Sequence, residues 1–398
     1  MTVVRQVMKL LTTHQIHAVE VDGRYYNRSD ALVDYKYLGR YKQYCDQLIV
    51  LLRCKRADSF DSRWPRIDGD GVTVASTPDP QTPFKALLAM PAIVFAVLKA
   101  IKTSDRYYLK LPEPMATVVG LLLLLLRKKY AVEVVADSRQ GILFAKKHMT
   151  FVKFYSRLFD ALTRFLVSRA HCATYISQYL RKQYPTKSPA REWVFCSAEL
   201  DDEIIGQPKS ADAFKIDPFK IFAAGRLSAE KGYIYLVRAF KIIRDLANRA
   251  VELHLIGDGP ERCRLEKEAE KLGITDSVRF HGFINRGPQL FSLLDQAQLL
   301  VIPSLTEGMG RVMIEAMARG LPCLASSVGG IPEYLPEQVL FAPGDPDAIA
   351  EKVLKFLNRP ETLAAMSLYN YEKAKAFRPE SLKSIKEDFW QHVLAECK

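Results

Sequence analysis

The chain has 398 residues, which is more than one hydrophobic core usually supports and suits two domains of about 200 residues each. Its composition, 48% hydrophobic and 26% charged, is ordinary for a soluble globular protein. Seven scattered cysteines without a C-x-x-C pair argue against a disulfide framework or a zinc site and favour a reducing compartment.

The net charge of +12 is unevenly distributed along the chain. Residues 1–200 contain 31 Lys and Arg against 17 Asp and Glu, a net charge of +14, whereas residues 201–398 contain 26 against 28, a net charge of −2. A basic half typically meets a nucleic acid, a membrane surface or a phosphorylated substrate. We therefore expect an anionic partner for the N-terminal half, although solubility alone also explains this charge.

The N-terminal half alternates strand-like and helix-like segments, which predicts a parallel sheet with crossover helices. The predicted strands are Ile16–Val21, Gln47–Arg53 and Tyr130–Asp137. Two apolar runs, Ala86–Ile101 and Met115–Leu126, are too interrupted or too short to span a membrane, and we interpret both as buried helices. The N-terminus lacks a long apolar core and a small-residue cleavage site, which predicts no signal peptide and a cytoplasmic protein.

Residues 146–169 predict an amphipathic helix. The apolar face of this helix consists of Phe151, Phe154, Tyr155, Leu158, Leu162 and Phe165. We favour packing of this face on the N-terminal sheet. The alternative is a helix on the inner face of an anionic membrane, and an acidic substrate explains the same basic charge.

The C-terminal half begins after a polar linker at residues 201–218 and alternates strands and helices more clearly. We predict strands at Phe219–Gly225, Val251–Gly259, 278–283, Leu299–Pro303 and Pro322–Ser326, and helices at Lys231–Ala247, 260–273, from Gly310 onward and at Ser381–Lys398.

The loop GRLSAEKG, from Gly225 to Gly232, ends a predicted strand and opens a helix. Arg226 and Lys231 frame that helix start and offer the positive charge that a departing diphosphate needs. A capped helix with solvated charges is the alternative, and both interpretations fit this motif alone.

The most informative segment is Ser304–Glu333, in which a strand, a glycine turn and a helix form a phosphate-binding arrangement. Glu307 precedes the helix, and Glu315 lies within the apolar run VMIEAMA, where an unpaired carboxylate would be costly. Two carboxylates beside a phosphate site predict a hydroxyl-rich ligand, as in a nucleotide sugar.

Within this segment the turn itself is predicted to meet the ligand. Gly308 and Gly310, on either side of Met309, allow close approach of the backbone. The N–H groups of Gly310, Arg311 and Val312 are predicted to be free at the helix N-terminus and to hold phosphate oxygens.

Two further turns follow predicted strands. Gly257 and Gly259 lie in IGDGP, at the sheet edge where ligands bind in such folds, although a simple tight turn fits equally well. In HGFI we interpret His281 as a core or turn histidine rather than a base. The backbone around Phe283 and Ile284 is predicted to contact a nucleotide base.

In combination, GRLSAEKG, LIGDGPER, RFHGFI and PSLTEGMGRVMIEAMARGLPCLASSVGGIPE resemble the donor domain of retaining glycosyltransferase family 4, with its E-x7-E pattern at Glu307 and Glu315. The resemblance is close over residues 219–345 and looser in the N-terminal half, through VEVVAD and Cys172–Pro185. It implies an α/β protein with the GT-B fold, in which two Rossmann-like domains face each other across a cleft. The implied parts are an acceptor domain (1–200), a nucleotide-sugar donor domain (201–378) and a C-terminal helix (379–398) that crosses back to the first domain.

The resemblance implies a metal-independent, retaining hexosyltransferase without a cofactor, whose donor is a nucleoside-diphosphate sugar, with UDP expected. Arg226 and Lys231 would bind the diphosphate, Glu307 would contact the donor sugar near the reacting carbon, and Glu315 would hold the ribose. The other implied donor-binding residues are Gly225, Gly257, Gly259, Phe283, Ile284, Gly308, Met309, Gly310, Arg311 and Val312. The implied acceptor is a sugar or lipid-linked sugar in cell-surface polysaccharide or glycolipid biosynthesis.

The sequence departs from the family at two places. The Gly-Gly loop that often follows the first strand is missing, and DGRYYNRSD stands after Ile16–Val21 instead. Asp137 and Ser138 occupy the place of a histidine that often contacts the donor sugar. Asp137 either replaces that contact or caps the next helix, which puts the identity of the sugar in doubt more than the reaction class.

Other functions stay open at this stage. The rivals are another GT-B sugar-nucleotide enzyme, such as an epimerase, and a non-catalytic sugar-nucleotide sensor or nucleic-acid-binding protein. The stretch Tyr35–Tyr44 interleaves aromatic and basic residues, as nucleic-acid binding requires, but it also fits an ordinary helix. Because Glu307 and Glu315 occur together with Arg226 and Lys231, we favour sugar transfer and expect no nucleic-acid partner.

Overall fold

The computed structural model describes residues 7–28, 33–59, 61, 64–80, 82–145, 152–188, 191–196 and 199–395. Its strands form two sheets with helices packed on their faces, which confirms the predicted α/β class. The first sheet belongs to the N-terminal half of the chain and the second to the C-terminal half.

The N-terminal sheet contains β1 (Lys9–Val21), β2 (Arg24–Asn27), β3 (Gln47–Arg56), β4 (Val72–Pro78), β5 (Arg106–Leu111), β6 (Ala131–Val134), β7 (Cys172–Tyr175) and β8 (Glu192–Val194). Its helices are α1 (Tyr35–Gly39), α2 (Pro83–Lys102), α3 (Pro114–Leu125), α4 (Ser138–Ala145), α5 (Val152–Arg169) and α6 (Gln178–Gln183). The strand order is β4-β3-β1-β5-β6-β7-β8 with parallel neighbours, and β2 pairs antiparallel with β1.

The first strand is longer than predicted, because β1 begins at Lys9 rather than at Ile16. Thr12 and Thr13 are polar but fully buried, so they hide the apolar pattern of a central strand. The pairing of β1 with β3 then shifts register between Thr13 and His17. Because of these polar residues and the register shift, the first half of β1 shows no apolar periodicity from which a strand could be predicted.

The apolar run Ala86–Ile101 was wrongly predicted to be buried. It forms α2, whose inner face places Ile93 and Val97 in the core, but most of its large apolar side chains face outward. Phe84 is 69% exposed and Phe95 is 72% exposed. A helix that is apolar all round gives no periodicity from which its buried side can be chosen.

The preferred interpretation of the amphipathic helix was also wrong. α5 covers Val152–Arg169, whereas residues 146–151, including Phe151, lie outside the described residues. Of the predicted packing face, Phe154 is 68% exposed and Leu158 is 49% exposed. The helix instead buries the opposite side, with Phe159 and Leu166 against the core, because small Ser and Thr residues there allow close packing.

The C-terminal sheet contains β9 (Phe219–Ala224), β10 (Val251–Ile256), β11 (Val278–Gly282), β12 (Leu299–Ile302), β13 (Cys323–Ser326) and β14 (Leu340–Phe341). Its helices are α7 (Tyr233–Leu246), α8 (Arg262–Lys271), α9 (Pro288–Gln296), α10 (Arg311–Ala318), α11 (Pro346–Leu357) and α12 (Pro360–Ala374). The order β11-β10-β9-β12-β13-β14 is parallel throughout, so the carboxyl ends of β9, β10 and β12 meet at one edge.

The last helix, α13 (Pro379–Ala395), crosses back to the N-terminal sheet as predicted. Phe389 and Trp390 are buried in a core cluster with residues of β1, β3 and β5. Tyr44 stacks on Trp390 with ring centroids 4.5 Å apart. Tyr41 and Tyr44 of the Tyr35–Tyr44 stretch therefore pack against this helix, which is an ordinary structural role for these two rings.

Candidate active site

Two neighbouring strands, β9 and β12, end in the two loops that carry the predicted catalytic residues. The loop after β9 leads through a single helical turn, Ala229–Lys231, into α7, and the loop after β12 leads into α10. The N–H of Leu305 donates to the carbonyl of Glu230 at 2.8 Å and ties the two loops together. The sheet order therefore brings residues about 76 positions apart in sequence to one place.

Lys231 and Glu307 form an ion pair at this place. The Nζ atom of Lys231 lies 2.6 Å from Oε1 of Glu307, and the hydroxyl of Ser304 donates to the same oxygen at 2.9 Å. The Glu307 side chain is 12% exposed and that of Lys231 is 29% exposed, so solvent still reaches the pair. Two residues predicted to act together are thus in direct contact.

The backbone around Glu307 is held by a close approach of a second loop. Gly329 has a φ of +55°, and a Cβ atom there would lie 1.8 Å from the carbonyl oxygen of Glu307. The N–H of Gly330 donates to the carbonyl of Gly308 at 3.1 Å. Glu307 is therefore positioned by backbone packing that only glycine permits at position 329.

The N-terminus of α10 faces the same loops. Gly310 is its N-cap, with a φ of +82°, and Arg311 at the first helical position is exposed. Within the described residues, the amides of Gly310, Arg311 and Val312 donate to no protein acceptor. Three aligned donors at a helix N-terminus suit an anion, and their contact with phosphate oxygens stays a prediction.

Glu315 lies one turn into α10 and is buried, with 6% of its side chain exposed. Burial raises the pKa of its carboxyl above the ordinary value, and the cations Arg311 and Arg286 oppose that rise. The Nε atom of Arg286 lies 3.0 Å from Glu315, and its Nη1 atom lies 3.1 Å from Asp201. Arg286 was missed in the sequence, because a single arginine in the loop after β11 gives no local signal.

The other predicted donor-binding residues follow the same edge. The N–H of Gly257 donates to the carbonyl of Gly282 at 2.8 Å, and the N–H of Gly225 donates to the carbonyl of Ile256 at 2.9 Å. These bonds join the ends of neighbouring strands. Met309 is buried, whereas Phe283 is 51% exposed and Ile284 packs against the core. Arg226 is exposed, and in the part of the chain that the structure describes it makes no ion pair.

His281 does not lie among these groups. Its Nε2 atom is 2.9 Å from Nδ1 of His254, and both rings stack near Phe222 on the face of the sheet. Burial lowers the pKa of both imidazoles below the ordinary value. This arrangement is a packed histidine pair, in line with the non-catalytic interpretation of His281.

The two domains meet directly at the glutamate loop. A Cβ atom on Gly308 would lie 2.6 Å from the carbonyl oxygen of Val135, just after β6. The carboxylate of Glu333 accepts from the amides of Gln178 and Tyr179 at 2.8 and 2.6 Å, at the start of α6. The carboxyl edges of the two sheets therefore face each other.

Asp137 lies at this junction and acts as a helix cap. Its Oδ1 atom accepts from the amides of Arg139 and Gln140 at 2.9 and 3.1 Å, and its Oδ2 atom accepts from the hydroxyl of Tyr179 at 3.0 Å. Of the two interpretations of Asp137, capping of α4 is the one that the geometry displays. A contact with a donor sugar stays a prediction.

A cleft of about 850 Å³ separates the domains on the side of this junction where Glu315 lies. Of the predicted residues, Gly259, Phe283, Arg311 and Glu315 line it, whereas Lys231 and Glu307 lie outside its walls. The opposite wall belongs to the N-terminal domain and includes Asn27, Arg28, Lys36, Tyr37, Arg40 and Trp64. The open space therefore lies beside Glu315 and reaches the N-terminal domain.

A buried charge cluster supports that opposite wall, and no local pattern in the sequence predicted it. Lys110 and Glu133 pair at 3.0 Å with side chains 10% and 2% exposed, and Lys110 also donates to the hydroxyl of Tyr37 at 3.1 Å. Burial disfavours the charge of Lys110, but Glu133 raises its pKa overall. The guanidinium of Arg40 lies 3.8 Å from the centre of the Tyr37 ring. The cluster thus fixes a tyrosine and an arginine at the edge of the cleft.

Comparison with known proteins connects this geometry to a family. Residues 207–373 match the family model for "Glycosyl transferases group 1". Protein CapJ of Staphylococcus aureus is 26% identical over 96% of this chain and 98% of its own length. Seven other curated relatives match over 29% to 44% of this chain and 31% to 42% of their own lengths.

Solved structures match over nearly the whole chain. Sucrose-phosphate synthase from Thermosynechococcus elongatus has a TM-score of 0.70 at 18% identity and covers 98% of this chain and 99% of its own. HepE from Anabaena in complex with UDP-glucose has a TM-score of 0.67 at 19% identity and covers 98% and 100%. At these identities the matches establish the fold, which is GT-B.

Proposed function

We propose that this chain, which is a glycosyltransferase with the GT-B fold, transfers a hexose from a UDP-sugar to an acceptor hydroxyl with retention of anomeric configuration. We assign it to family 4, because its glutamates occupy the E-x7-E positions. The observation that carries the proposal is the pairing of Lys231 with Glu307 at 2.6 Å, beside the free amides of α10. A sensor that only binds a nucleotide needs no partly buried carboxylate at that point.

The donor extends in this proposal from the cleft to the ion pair. The base lies near Phe283 and Ile284, and the ribose hydroxyls donate to Glu315, which already lines the cleft. The diphosphate then accepts from the amides at the start of α10, and Arg226 and Lys231 neutralise it. UDP is favoured because the similar HepE structure contains UDP-glucose.

The transfer step exchanges one bond at the anomeric carbon for another on the same face. The bond from that carbon to the β-phosphate oxygen breaks, and the acceptor oxygen forms the new bond. The acceptor proton passes to the departing phosphate oxygen, which leaves as part of UDP. Lys231 and Arg226 become more favourable partners as negative charge grows on the diphosphate, so they lower the barrier.

Glu307 has two positions in this cycle. Without donor it holds Lys231, and with donor it contacts the sugar near the reacting carbon while Lys231 turns to the diphosphate. Because both side chains keep partial exposure, this exchange needs no unfolding of the loop. The cations and the helix N-terminus supply the positive charge, so we propose that the reaction is metal-independent.

The acceptor approaches from the N-terminal domain. Tyr37 and Arg40 lie at the edge of the cleft and are held by the buried Lys110–Glu133 pair. We propose a sugar or a lipid-linked sugar as acceptor, in cell-surface polysaccharide or glycolipid biosynthesis on the cytoplasmic side of a membrane. The basic character of this domain fits an anionic group on or near that acceptor.

A panel of UDP-, GDP- and ADP-sugars tests the proposal. We expect one UDP-hexose to raise the unfolding temperature and to be slowly hydrolysed to UDP, and the released sugar to have the anomeric configuration of the donor when observed by NMR at early times. Conversion of the donor to its epimer without UDP release would instead identify the epimerase. Stabilisation without any turnover, with and without sugar acceptors, would favour the sensor.

A further inference from the structure

Three neighbouring helices of the N-terminal domain leave an unusual set of large apolar side chains outside the protein. We call this set the apolar face. It comprises Phe84, Leu87, Leu88, Met90, Phe95 and Leu98 on α2, Leu121, Leu125 and Leu126 at the end of α3, and Phe154, Leu158 and Phe165 on α5. α3 packs against both α2 and α5, so the three contributions adjoin one another.

The exposure of these side chains is large. Leu125 is 78% exposed, and Phe95, Phe84 and Leu87 are each about 70% exposed. A contiguous apolar patch of this kind on a soluble protein marks a contact with a membrane or a protein. No segment within the described residues covers the apolar face.

The composition and length of α2 would allow it to cross a membrane, but its place in the fold does not. It is a crossover helix, since β4 before it and β5 after it belong to the same sheet. Ile93, Val97 and Ile101 are buried in the core of that sheet. Crossing a bilayer would require this core to open, so α2 can only lie in the plane of an interface.

The charges around the apolar face select the kind of partner. Residues 83–102, 114–129 and 152–169 contain ten basic residues: Lys85, Lys99, Lys102, Arg127, Lys128, Lys129, Lys153, Arg157, Arg164 and Arg169. They contain one acidic residue, Asp160, which already pairs with Arg164. Apolar side chains bordered by Lys and Arg complement an anionic lipid surface, into which the former insert while the latter remain at the headgroups.

The apolar face begins at the carboxyl edge of the N-terminal sheet. In a parallel sheet, crossover helices start at the edge where strands end, and this edge faces the donor domain at Gly308 and Val135. Phe84 and Leu88 near the start of α2, and Phe154 near the start of α5, therefore lie toward the cleft. A lipid-linked acceptor in the bilayer would reach the cleft from this side.

We propose that the apolar face and its basic border seat the enzyme on an anionic lipid bilayer, with α2 lying in the interface. The proposal deepens the proposed function, because it names the surface at which a lipid-linked acceptor is met. The bilayer contact itself needs no substrate, so it can be tested separately from sugar transfer.

The test is sedimentation of the full chain with phosphatidylcholine vesicles, with and without phosphatidylglycerol. We expect the protein to sediment with the anionic vesicles only. The triple variant Phe84→Ser, Leu88→Ser and Phe95→Ser should remain in the supernatant, because these side chains supply the insertion. The triple variant Lys85→Gln, Lys99→Gln and Lys153→Gln should bind roughly 100-fold more weakly, at about a fivefold loss per cation.

Matched variants in the C-terminal domain distinguish the proposed bilayer contact from nonspecific binding by any exposed apolar side chain. Ile216→Ser, Leu246→Ser and Leu368→Ser remove apolar side chains that are 63%, 67% and 52% exposed, and we expect unchanged vesicle binding. Donor hydrolysis in detergent should be unchanged in all variants, because none touches the donor site. If the wild-type protein itself did not hydrolyse the donor, the proposed function would be contradicted, but the vesicle-binding result would still hold.

Three outcomes would overturn the membrane proposal. The first is a wild-type chain that stays in the supernatant with anionic vesicles. The second is equal binding by the apolar triple variant. The third is a wild-type dimer in analytical ultracentrifugation that the same variant converts to a monomer, since the apolar face would then be covered by a second copy.

Discussion

The two sheet edges that face each other across the cleft differ in the chemical groups that form them. The C-terminal edge consists mainly of backbone groups, namely glycine turns and the amides at the start of α10 that are unpaired among the described residues, together with the partly exposed Lys231–Glu307 side-chain pair. The N-terminal edge is made of buried side-chain charges: the Lys110–Glu133 pair, and the carboxyl of Glu113 with 3% exposure.

This difference matches what we propose that each edge binds. The diphosphate is the same in every nucleoside-diphosphate sugar, and a rigid array of amides and accessible cations can bind it without reorganisation. An acceptor varies between enzymes. The N-terminal edge, where we propose that it binds, is shaped by side chains whose charged groups are buried. Substitutions at the C-terminal edge should therefore affect catalysis and donor binding, and substitutions inside the N-terminal edge should affect stability.

The largest effect is expected for Glu307→Ala. It removes the carboxylate that we place at the reacting carbon, and transfer should fall by about 10³-fold or more. Steady-state UDP release measures the loss. Glu351→Ala, an exposed glutamate on α11, is the matched control.

The fold should survive the Glu307 change, because solvent can still reach the Lys231 cation that loses its partner. An unfolding temperature within a few degrees of wild type would separate lost chemistry from lost structure. Turnover close to wild type in a folded Glu307→Ala enzyme would remove this residue from the mechanism.

Gly329→Ala tests whether the C-terminal edge depends on backbone packing. The added methyl would meet the carbonyl of Glu307 at 1.8 Å and would also be strained at a φ of +55°. We expect a loss of about 3 kcal/mol in the free energy of unfolding, together with strongly reduced transfer. Gly273 shares the left-handed conformation, with a φ of +64°, but has open space around it.

Gly273→Ala should therefore cost only about 1 kcal/mol, the conformational part of the effect. Urea unfolding of both variants measures the difference. Equal losses would mean that the close approach of the loop to Glu307 contributes nothing.

Lys231→Ala separates donor binding from the rest of the mechanism. The cation is expected to meet the diphosphate directly, so the affinity for UDP should fall by about 30-fold. Calorimetric titration with UDP gives the affinity, and Lys241→Ala on α7 is the control. Unchanged affinity would place the diphosphate elsewhere and leave Lys231 as a partner of Glu307 alone.

The same contrast explains what could be predicted from the sequence. The C-terminal edge consists of contiguous glycine motifs after strands, so Glu307, Lys231 and the amides of α10 were found by local pattern. Arg286 escaped, because its role comes from a contact 29 positions away with Glu315. Tertiary proximity of one charge to another leaves no mark in the local sequence.

In the N-terminal domain, the burial predicted from the sequence disagreed with the structure more often. The apolar run of α2 was taken as core because burial is the usual fate of such residues, and the aromatic face of α5 for the same reason. An apolar face that is left outside looks identical in sequence to one that is buried. Lys110 and Glu133 were missed for the converse reason, since charged residues are rarely buried unless paired.

Glu113→Gln tests the buried charge of the N-terminal edge and should have the smallest effect. Glu113 caps α3 by accepting from the amide of Ala116 at 3.1 Å, and burial raises its pKa to about 7, against the opposing charge of Arg53. Because the folded-state pKa lies above the ordinary value of 4.5, its contribution to stability is full below that value and is lost as the pH rises through about 7. Glutamine keeps the cap and has no charge to bury. The variant should thus be about 1–2 kcal/mol more stable than wild type in urea unfolding near pH 8, and the gain should vanish near pH 5. A gain that is the same at both pH values would show that Glu113 is not the titrating group.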